Sequence, residues 1–181
     1  LLSKLSWYGI KSNELNWFTD YLKNRRQRVF HEGCLSEPLV NDIGVPQGSV
    51  LGPILFLLYI NDLSQHVKTS VCNMFADDVI LYTAHNQMDE LIKILQDATD
   101  AAKSWYEKNK LSVNPVKSVS MLITRNSQVN IEDFNIYIEG QKVAKSDQNK
   151  YLGLIIDEKL LWTNHVNHVA KIIGPKMYVL R

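Results

Sequence analysis

The chain has 181 residues, of which 45% are hydrophobic and 22% charged, and a net charge of +1. This is the composition of an ordinary globular protein able to bury a core, as one domain or as one domain and part of another. A charge so near zero excludes a global field that would draw the whole molecule to nucleic acid or to a membrane, although residues 1–35 hold six basic residues against three acids, a local +3 that leaves −2 for the remainder. Leu1-Leu2 reads as the inside of a helix. Residues 12–25 are expected to form the first clear helix, with Ser12 as N-cap and Glu14 in its positive first turn. Leu15, Phe18 and Leu22 make an apolar stripe that Trp17 and Tyr21 widen, as for packing against a sheet. The basic run Lys23 to Arg28 follows; it is either a solvated helix end or a set of phosphate contacts. Val29–Leu35 and Leu39–Val45 read as short strands or extended loops.

Three glycines and two prolines between Gly44 and Pro53 then forbid a regular element at first. Gly48 would allow another backbone or a base to approach closely. Ser49 can cap the next helix, and Pro53 suits its first turn. Ile54–Ile60 is apolar all round and is expected to be buried, ending at Asn61-Asp62. Gln47, beside a glycine at a helix start, would make a good recognition edge, because its amide both donates and accepts. A buried helix with a stiff entrance is the plainer reading. Val71–Phe75 and Val79–Tyr82 are short apolar runs around a polar break, the pattern of a strand-turn-strand hairpin. Asn86 or Asp89 opens a long helix in which Leu91, Ile94, Leu95, Ala98, Ala102 and Trp105 repeat at helical spacing and should cover one face of a sheet. Leu111–Val113 and Val119–Thr124 read as strands, with Lys117 an ordinary surface residue of the loop between them. Asn130–Val143 alternates as a hairpin about Gly140, Lys150–Ile156 reads as one more strand, and Leu160–Tyr178 turns helical with a break at Gly174-Pro175. Mixed elements without βαβ repetition point to an α+β fold.

Cys34 and Cys72 lack any CxxC partner, so neither a disulfide framework nor a structural zinc site is expected, and an intracellular setting fits. His165 and His168 read as ordinary surface or packing residues. The longest apolar run, Val50–Ile60, is too short to cross a bilayer, so no membrane partner is expected. Both ends read as cut from a longer polypeptide.

The polar break Ala76-Asp77-Asp78 is the unusual feature. Hairpin tips ordinarily favour Gly or Asn, yet two carboxylates stand here next to bulky apolar residues. Like charges and desolvation both penalise ionised carboxylates, and a cation between them removes both penalties. Oxygen donors without nitrogen or sulphur suit a hard ion such as Mg²⁺. An exposed turn with two solvated aspartates is the alternative.

Taken together, Gly44-Val45-Pro46-Gln47-Gly48-Ser49-Val50-Leu51-Gly52-Pro53-Ile54-Leu55-Phe56 and Phe75-Ala76-Asp77-Asp78 resemble the reverse transcriptase domain of non-LTR, jockey-like retrotransposons. Leu111-Ser112-Val113-Asn114-Pro115, Lys117 and Tyr151-Leu152-Gly153-Leu154 continue the resemblance in the family's order. Trp162 and His165-Val166 resemble the segment that enters the thumb. The resemblance implies the palm of a right-hand polymerase, a mixed or antiparallel sheet covered by helices, over residues 1–157, and the start of a thumb over 158–181. It implies Asp77 as main Mg²⁺ ligand with Asp78 beside it, two metal ions in all, and Mn²⁺ as a substitute. It places Pro46, Gln47, Gly48, Phe75 and Ala76 against the templating base and incoming nucleotide, and Lys117 near the leaving pyrophosphate. Tyr151, Leu152 and Gly153 become the primer grip, and Arg25, Arg26 and Arg28 track the template backbone. The implied partners are an RNA template, a DNA primer and dNTPs, in a ribonucleoprotein of nucleus and cytoplasm.

The physical logic agrees: in-line attack of a 3′ hydroxyl on phosphorus requires positioning and charge neutralisation, which paired metal ions and a nearby Lys provide. The family's first catalytic aspartate has no counterpart before Asp20. It is expected to be missing with the fingers, so the piece alone is expected to be inactive. Ser118 stands where the family often has Thr, and keeps the hydroxyl. A rival reading is an inactive retroelement remnant that only binds nucleic acid or serves as a scaffold. An unrelated metal-dependent hydrolase would explain the acids but not Pro46-Gln47-Gly48-Ser49.

Overall fold

The structure, a computed structural model, describes residues 1–41 and 43–179. Asp42, within the stretch expected to be extended, and the last two residues lie outside the described part. The chain divides into two compact units, one made of Leu1–Gln65 and Asn73–Ile80, the other of His66–Cys72 and the residues from Leu81 onward.

In the first unit, helix α1 (Leu2–Trp7) packs against α2 (Ser12–Leu22) and, after strands β1 (Arg25–Gln27), β2 (Phe30–His31), β3 (Cys34–Leu35) and β4 (Leu39–Asn41), against α3 (Leu51–Ile60). Leu5 and Leu55 are fully buried, and Leu63 from the short α4 (Leu63–His66) joins them in the core. The Lys4 ammonium fastens α1 to the end of α3. It donates to the Tyr59 carbonyl at 2.7 Å, pairs with Asp62 at 2.6 Å and lies 4.7 Å from the Tyr59 ring. Tyr8 Oη accepts from the Asn61 amide at 3.0 Å.

Several local expectations change here. Ser12 makes no capping hydrogen bond and takes φ +51, and α2 ends at Leu22 with no buried residue. Trp17 is 53% exposed and stacks on Tyr21 of its own helix at 5.3 Å rather than on a sheet. Arg25–Gln27 leaves the helix for a ladder with Leu39–Asn41, so the basic run is a strand and not a helix end. In α3 only Gly52, Leu55 and Ile60 are buried, while Ile54 and Leu57 stay half exposed. An all-apolar helix fixes which faces can be covered, not how many are.

Strands β5 (Val71–Phe75) and β6 (Asp78–Tyr82) pair as the expected hairpin. The second unit is built on α5 (Met88–Lys108), with Asp89 and Glu90 in its positive first turn and Lys108 in its last. Ala98, Ala102 and Trp105 are buried as the spacing predicts. Leu91, Ile92 and Leu95 pack on a cluster of Phe134, Ile136, Ile138 and Val143. The short strands β7 (Val119–Ser120), β8 (Tyr137–Ile138), β9 (Gln141–Lys142) and β10 (Ala144–Lys145) surround this core. The Gln96 amide clasps β8, accepting from Tyr137 N and donating to Tyr137 O, both at 2.9 Å. The hairpin expected over Asn130–Val143 is present only about Gly140, between β8 and β9 with Glu139 and Gly140 both at positive φ, while Ile131–Asp133 forms a turn of 3-10 helix. Leu111–Val113 is not a strand, and Val119–Thr124 shortens to β7, which pairs parallel with β10.

Lys150–Ile156 is not one strand but a turn between β11 (Gln148–Tyr151) and β12 (Leu154–Asp157), with Tyr151 opposite Leu154. The chain then forms α6 (Thr163–Val179), which runs through Gly174-Pro175 without a break. The fold is thus α+β, but among the described residues the strands pair in twos and no continuous sheet is recorded. No described helix is long and apolar enough to cross a membrane.

Candidate functional site

Ala76 and Asp77 are the two turn residues between β5 and β6, and Asp78 opens β6. Ala76 takes φ +52, at the turn position where glycine is the usual occupant. A non-glycine residue there costs of order 1–3 kcal/mol and persists only where its surroundings over-determine it, commonly at functional sites. The strain aims a bare acidic tip outward: Phe75, Ala76, Asp77 and Asp78 are all exposed, Phe75 by 61%. The two acids are therefore solvated here, and the desolvation expected of them is not found. Among the described residues no group of three or more His, Cys, Asp or Glu is arranged to hold a metal. Mg²⁺ is ordinarily bound by one or two carboxylates together with waters and substrate phosphates. The pair fits that role as a partial ligand set.

In the same unit, Pro46-Gln47-Gly48-Ser49 forms a tight turn with Gly48 at φ +76. The Pro46 carbonyl accepts from the Ser49 hydroxyl at 2.8 Å and from Ser49 N at 3.4 Å. Ser49 Oγ in turn accepts from Gly52 N at 2.9 Å, a capping bond made from one residue ahead of Val50, which stands at the N-cap of α3. The turn is thereby strapped to α3 while Gln47 and Gly48 stay exposed. Within the chain no backbone approaches Gly48 closely, and the tight contact is at Gly52. A Cβ on Gly52 would lie 2.9 Å from the Pro46 carbonyl oxygen and 3.1 Å from Ser49 Oγ, whereas one on Gly48 would meet nothing.

Arg25, Arg26 and Arg28 are exposed on and beside β1, in the first unit. Strand alternation puts Arg25 and Arg26 on opposite faces, and the Arg25 guanidinium lies 5.6 Å from the Tyr21 ring. None of the three has a carboxylate within ion-pair distance among the described residues.

Lys117 belongs to the second unit, exposed in a loop that Asn114 organises. Asn114 Oδ1 accepts from Val116 N at 3.1 Å and Lys117 N at 3.2 Å, and the Asn114 carbonyl accepts from Lys117 N, Ser118 N and the Ser118 hydroxyl at 2.9–3.2 Å. Sequence reasoning placed Asn114 in this loop without giving it a role, yet Asn before Pro is a turn signal with this mechanism. Asn114→Ala should cost about 1 kcal/mol, as loss of a cap does, and should speed amide exchange at Val116 and Lys117, while Asn114→Asp retains protection. Hydrogen exchange read by NMR checks this.

Also in the second unit, Leu152 and Gly153 take φ +47 and +87, the conformation of a type I′ hairpin turn. Leu152 is 49% exposed at that tip and Tyr151 is half-buried beside it.

The reverse transcriptase (RNA-dependent DNA polymerase) family model matches residues 1–156. The probable RNA-directed DNA polymerase from transposon X-element of Drosophila melanogaster is 34% identical over 163 residues, which are 87% of this chain and 17% of that protein. Its counterpart from transposon BS of the same organism is 30% identical over 168 residues, 89% of this chain and 18% of that protein. The RNA-directed DNA polymerase from mobile element jockey of Drosophila funebris is 30% identical over 154 residues, 81% and 16%. The chain thus spans less than a fifth of the length of these relatives. No solved structure matches it.

Proposed function

The chain belongs to the reverse transcriptase (RNA-dependent DNA polymerase) family, and from that premise we propose that it carries part of the palm and the start of the thumb of a non-LTR retrotransposon polymerase, which copies an RNA template by adding dNTPs to a DNA primer. The observation that carries the reading is the strained tip at Ala76, which presents Asp77 and Asp78 together and open to solvent. Turns at Glu32 and Glu139 also take positive φ; what sets this one apart is the pair of adjacent carboxylates it presents to solvent. Asp77, with Asp78 beside it, would hold Mg²⁺, which when bound neutralises phosphate charge and activates the attacking hydroxyl.

The remaining residues position the reactants. Gln47 and Gly48, fixed by the Ser49 strap, lie against the templating base and the incoming nucleotide, with Pro46, Phe75 and Ala76 completing that surface. The amide of Gln47 supplies both a donor and an acceptor. The Lys117 ammonium offsets charge on the departing pyrophosphate or gives it a proton. The turn Tyr151-Leu152-Gly153 holds the primer 3′ end, and Arg25, Arg26 and Arg28 contact template phosphates, which guanidinium groups bind bidentately. The setting is a ribonucleoprotein of nucleus and cytoplasm.

This reading assigns metal ligands from one turn only, and a two-metal transfer needs a further anchor. Residues 1–181 by themselves should therefore bind primer–template without extending it, whereas the polypeptide that carries them extends it in Mg²⁺ or Mn²⁺. Primer extension on an RNA template tests both halves. Synthesis by the isolated residues overturns the first half, and no synthesis by the longer polypeptide overturns the polymerase reading.

A further inference from the structure

The connection from β12 to α6 sets two large residues at positive φ within three positions. Leu160 and Trp162 take φ +54 and +63, a region that large side chains avoid. One carboxylate holds them there. Asp157 Oδ1 accepts from Lys159 N at 3.1 Å and Leu161 N at 3.0 Å, and Oδ2 accepts from Leu161 N and Trp162 N, each at 3.0 Å. Leu160 N adds a bond to the Asp157 carbonyl at 3.0 Å. The bond from Leu161, assisted by those from Trp162 and Lys159 against some desolvation, holds the Asp157 carboxyl below the usual carboxylate range. The charged, accepting form therefore persists throughout neutral pH.

Two further bonds tie the start of α6 back to the same hairpin. Ile155 N donates to His165 Nδ1 at 3.4 Å, and the Asn164 amide donates to Gln148 Oε1 at 2.8 Å. His165 also meets the Trp162 ring edge-on at 6.4 Å. Helix α6 leans on β12 along this line.

We propose that Asp157 is a positioning residue whose carboxylate clasps the 157–162 loop, making α6 and the Gln148–Asp157 hairpin one rigid lever with its tip at Leu152-Gly153. The inference rests on the reading of that tip as the primer grip and of α6 as the start of the thumb. Without the clasp the strain at Leu160 and Trp162 is left to the Leu160 N bond and the ties at Asn164 and His165, and Trp162 relaxes towards negative φ. The direction in which α6 leaves the hairpin changes with it. A primer end held at the tip would then be presented off line each time the enzyme advances, and misplacement of this kind penalises repeated addition more than a single captured turnover.

The test uses the polypeptide that carries this chain, with Asp157→Ala, which removes the acceptors; Asp157→Asn, which keeps one acceptor and loses the charge; and Leu160→Gly, which relieves strain and leaves the clasp in place. Hydrogen exchange over residues 158–163 and over α5 is measured beside primer extension under single-encounter conditions. In Asp157→Ala, exchange at Leu161 and Trp162 should rise at least about tenfold with α5 unchanged. Nucleotides added per encounter should fall about tenfold, while the first addition at saturating primer changes by less than about twofold. Asp157→Asn should fall between, and Leu160→Gly should match the wild type. Unchanged exchange at Leu161 and Trp162 overturns the clasp. Faster exchange without shorter products overturns the positioning role, and faster exchange in α5 as well replaces it with a general structural one. A wild type that extends no primer fells the polymerase reading instead, and the exchange measurements then decide the clasp by themselves.

Discussion

Asp77→Asn, introduced into the polypeptide that carries this chain, should lower primer extension about a thousandfold while leaving thermal stability within about 0.5 kcal/mol of the wild type. The two halves of this expectation come from one geometry. Asp77 is an exposed turn residue, so an isosteric amide removes no packing. What it removes is one negative charge at the point where a hard cation would be held. Metal stabilisation of developing phosphate charge contributes several kcal/mol, and about 4 kcal/mol corresponds to about three decades in rate. Steady-state incorporation and a melting curve on the same preparation separate the effects. Near-normal incorporation would refute the role given to Asp77. Equal losses of rate and stability would show instead that the acid matters to the turn. Asp78→Asn should fall less far, because Asp78 is the supporting ligand in this reading.

The residues that announced the acidic tip were legible because the two flanking runs and the break between them are local. A hairpin of this kind is written in consecutive residues, and β5 and β6 formed where expected. Helix α5 was legible for a similar reason: its period names Ala98, Ala102 and Trp105 as the covered side, and these are buried. What failed depended either on a distant partner or on a turn without its usual residues. Arg25–Gln27 continues a helical stretch by its own preferences, but it pairs with Leu39–Asn41 across a hairpin. Leu152-Gly153 lacks the Asn or Asp that usually signals a two-residue turn, so the flanking apolar residues read as one strand. Asp157 lies just beyond that expected strand. Its work lies in backbone N–H groups up to five residues ahead, and no composition rule exposes them. In the candidate site, residue type pointed to Gln47 and to Ser49 as a cap, and the resemblance pointed to Lys117, but the parts of Gly52 and Asn114 in holding the two loops emerged only from close contacts and hydrogen bonds.

Gly52→Ala is the second large effect, and it works through Gln47 without touching it. The added methyl would sit 2.9 Å from the Pro46 carbonyl oxygen, a backbone atom that cannot swing aside as a side chain does. Either α3 shifts or the Pro46–Ser49 turn moves, and the turn is the softer of the two because Gln47 and Gly48 are exposed. Overpacking of this sort costs about 1–3 kcal/mol. In a chain of this size that is a melting temperature lower by roughly 2–10 °C. The turn then carries Gln47 away from its strapped position, so KM for dNTP should rise about tenfold or more with a smaller change in kcat. Gly44→Ala is the necessary contrast. Its φ of +88 makes alanine strained, but nothing lies within 4 Å of the new methyl, and Gly44 has no place in the nucleotide surface. It should cost about 1–2 kcal/mol from backbone strain and leave the Ser49 strap intact. If both variants raise KM equally, the turn is sensitive to any perturbation and the contact at Gly52 has no special part. If Gly52→Ala lowers stability yet leaves KM untouched, Gln47 does not take its position from the Pro46–Ser49 strap, and its place against the nucleotide has to be abandoned.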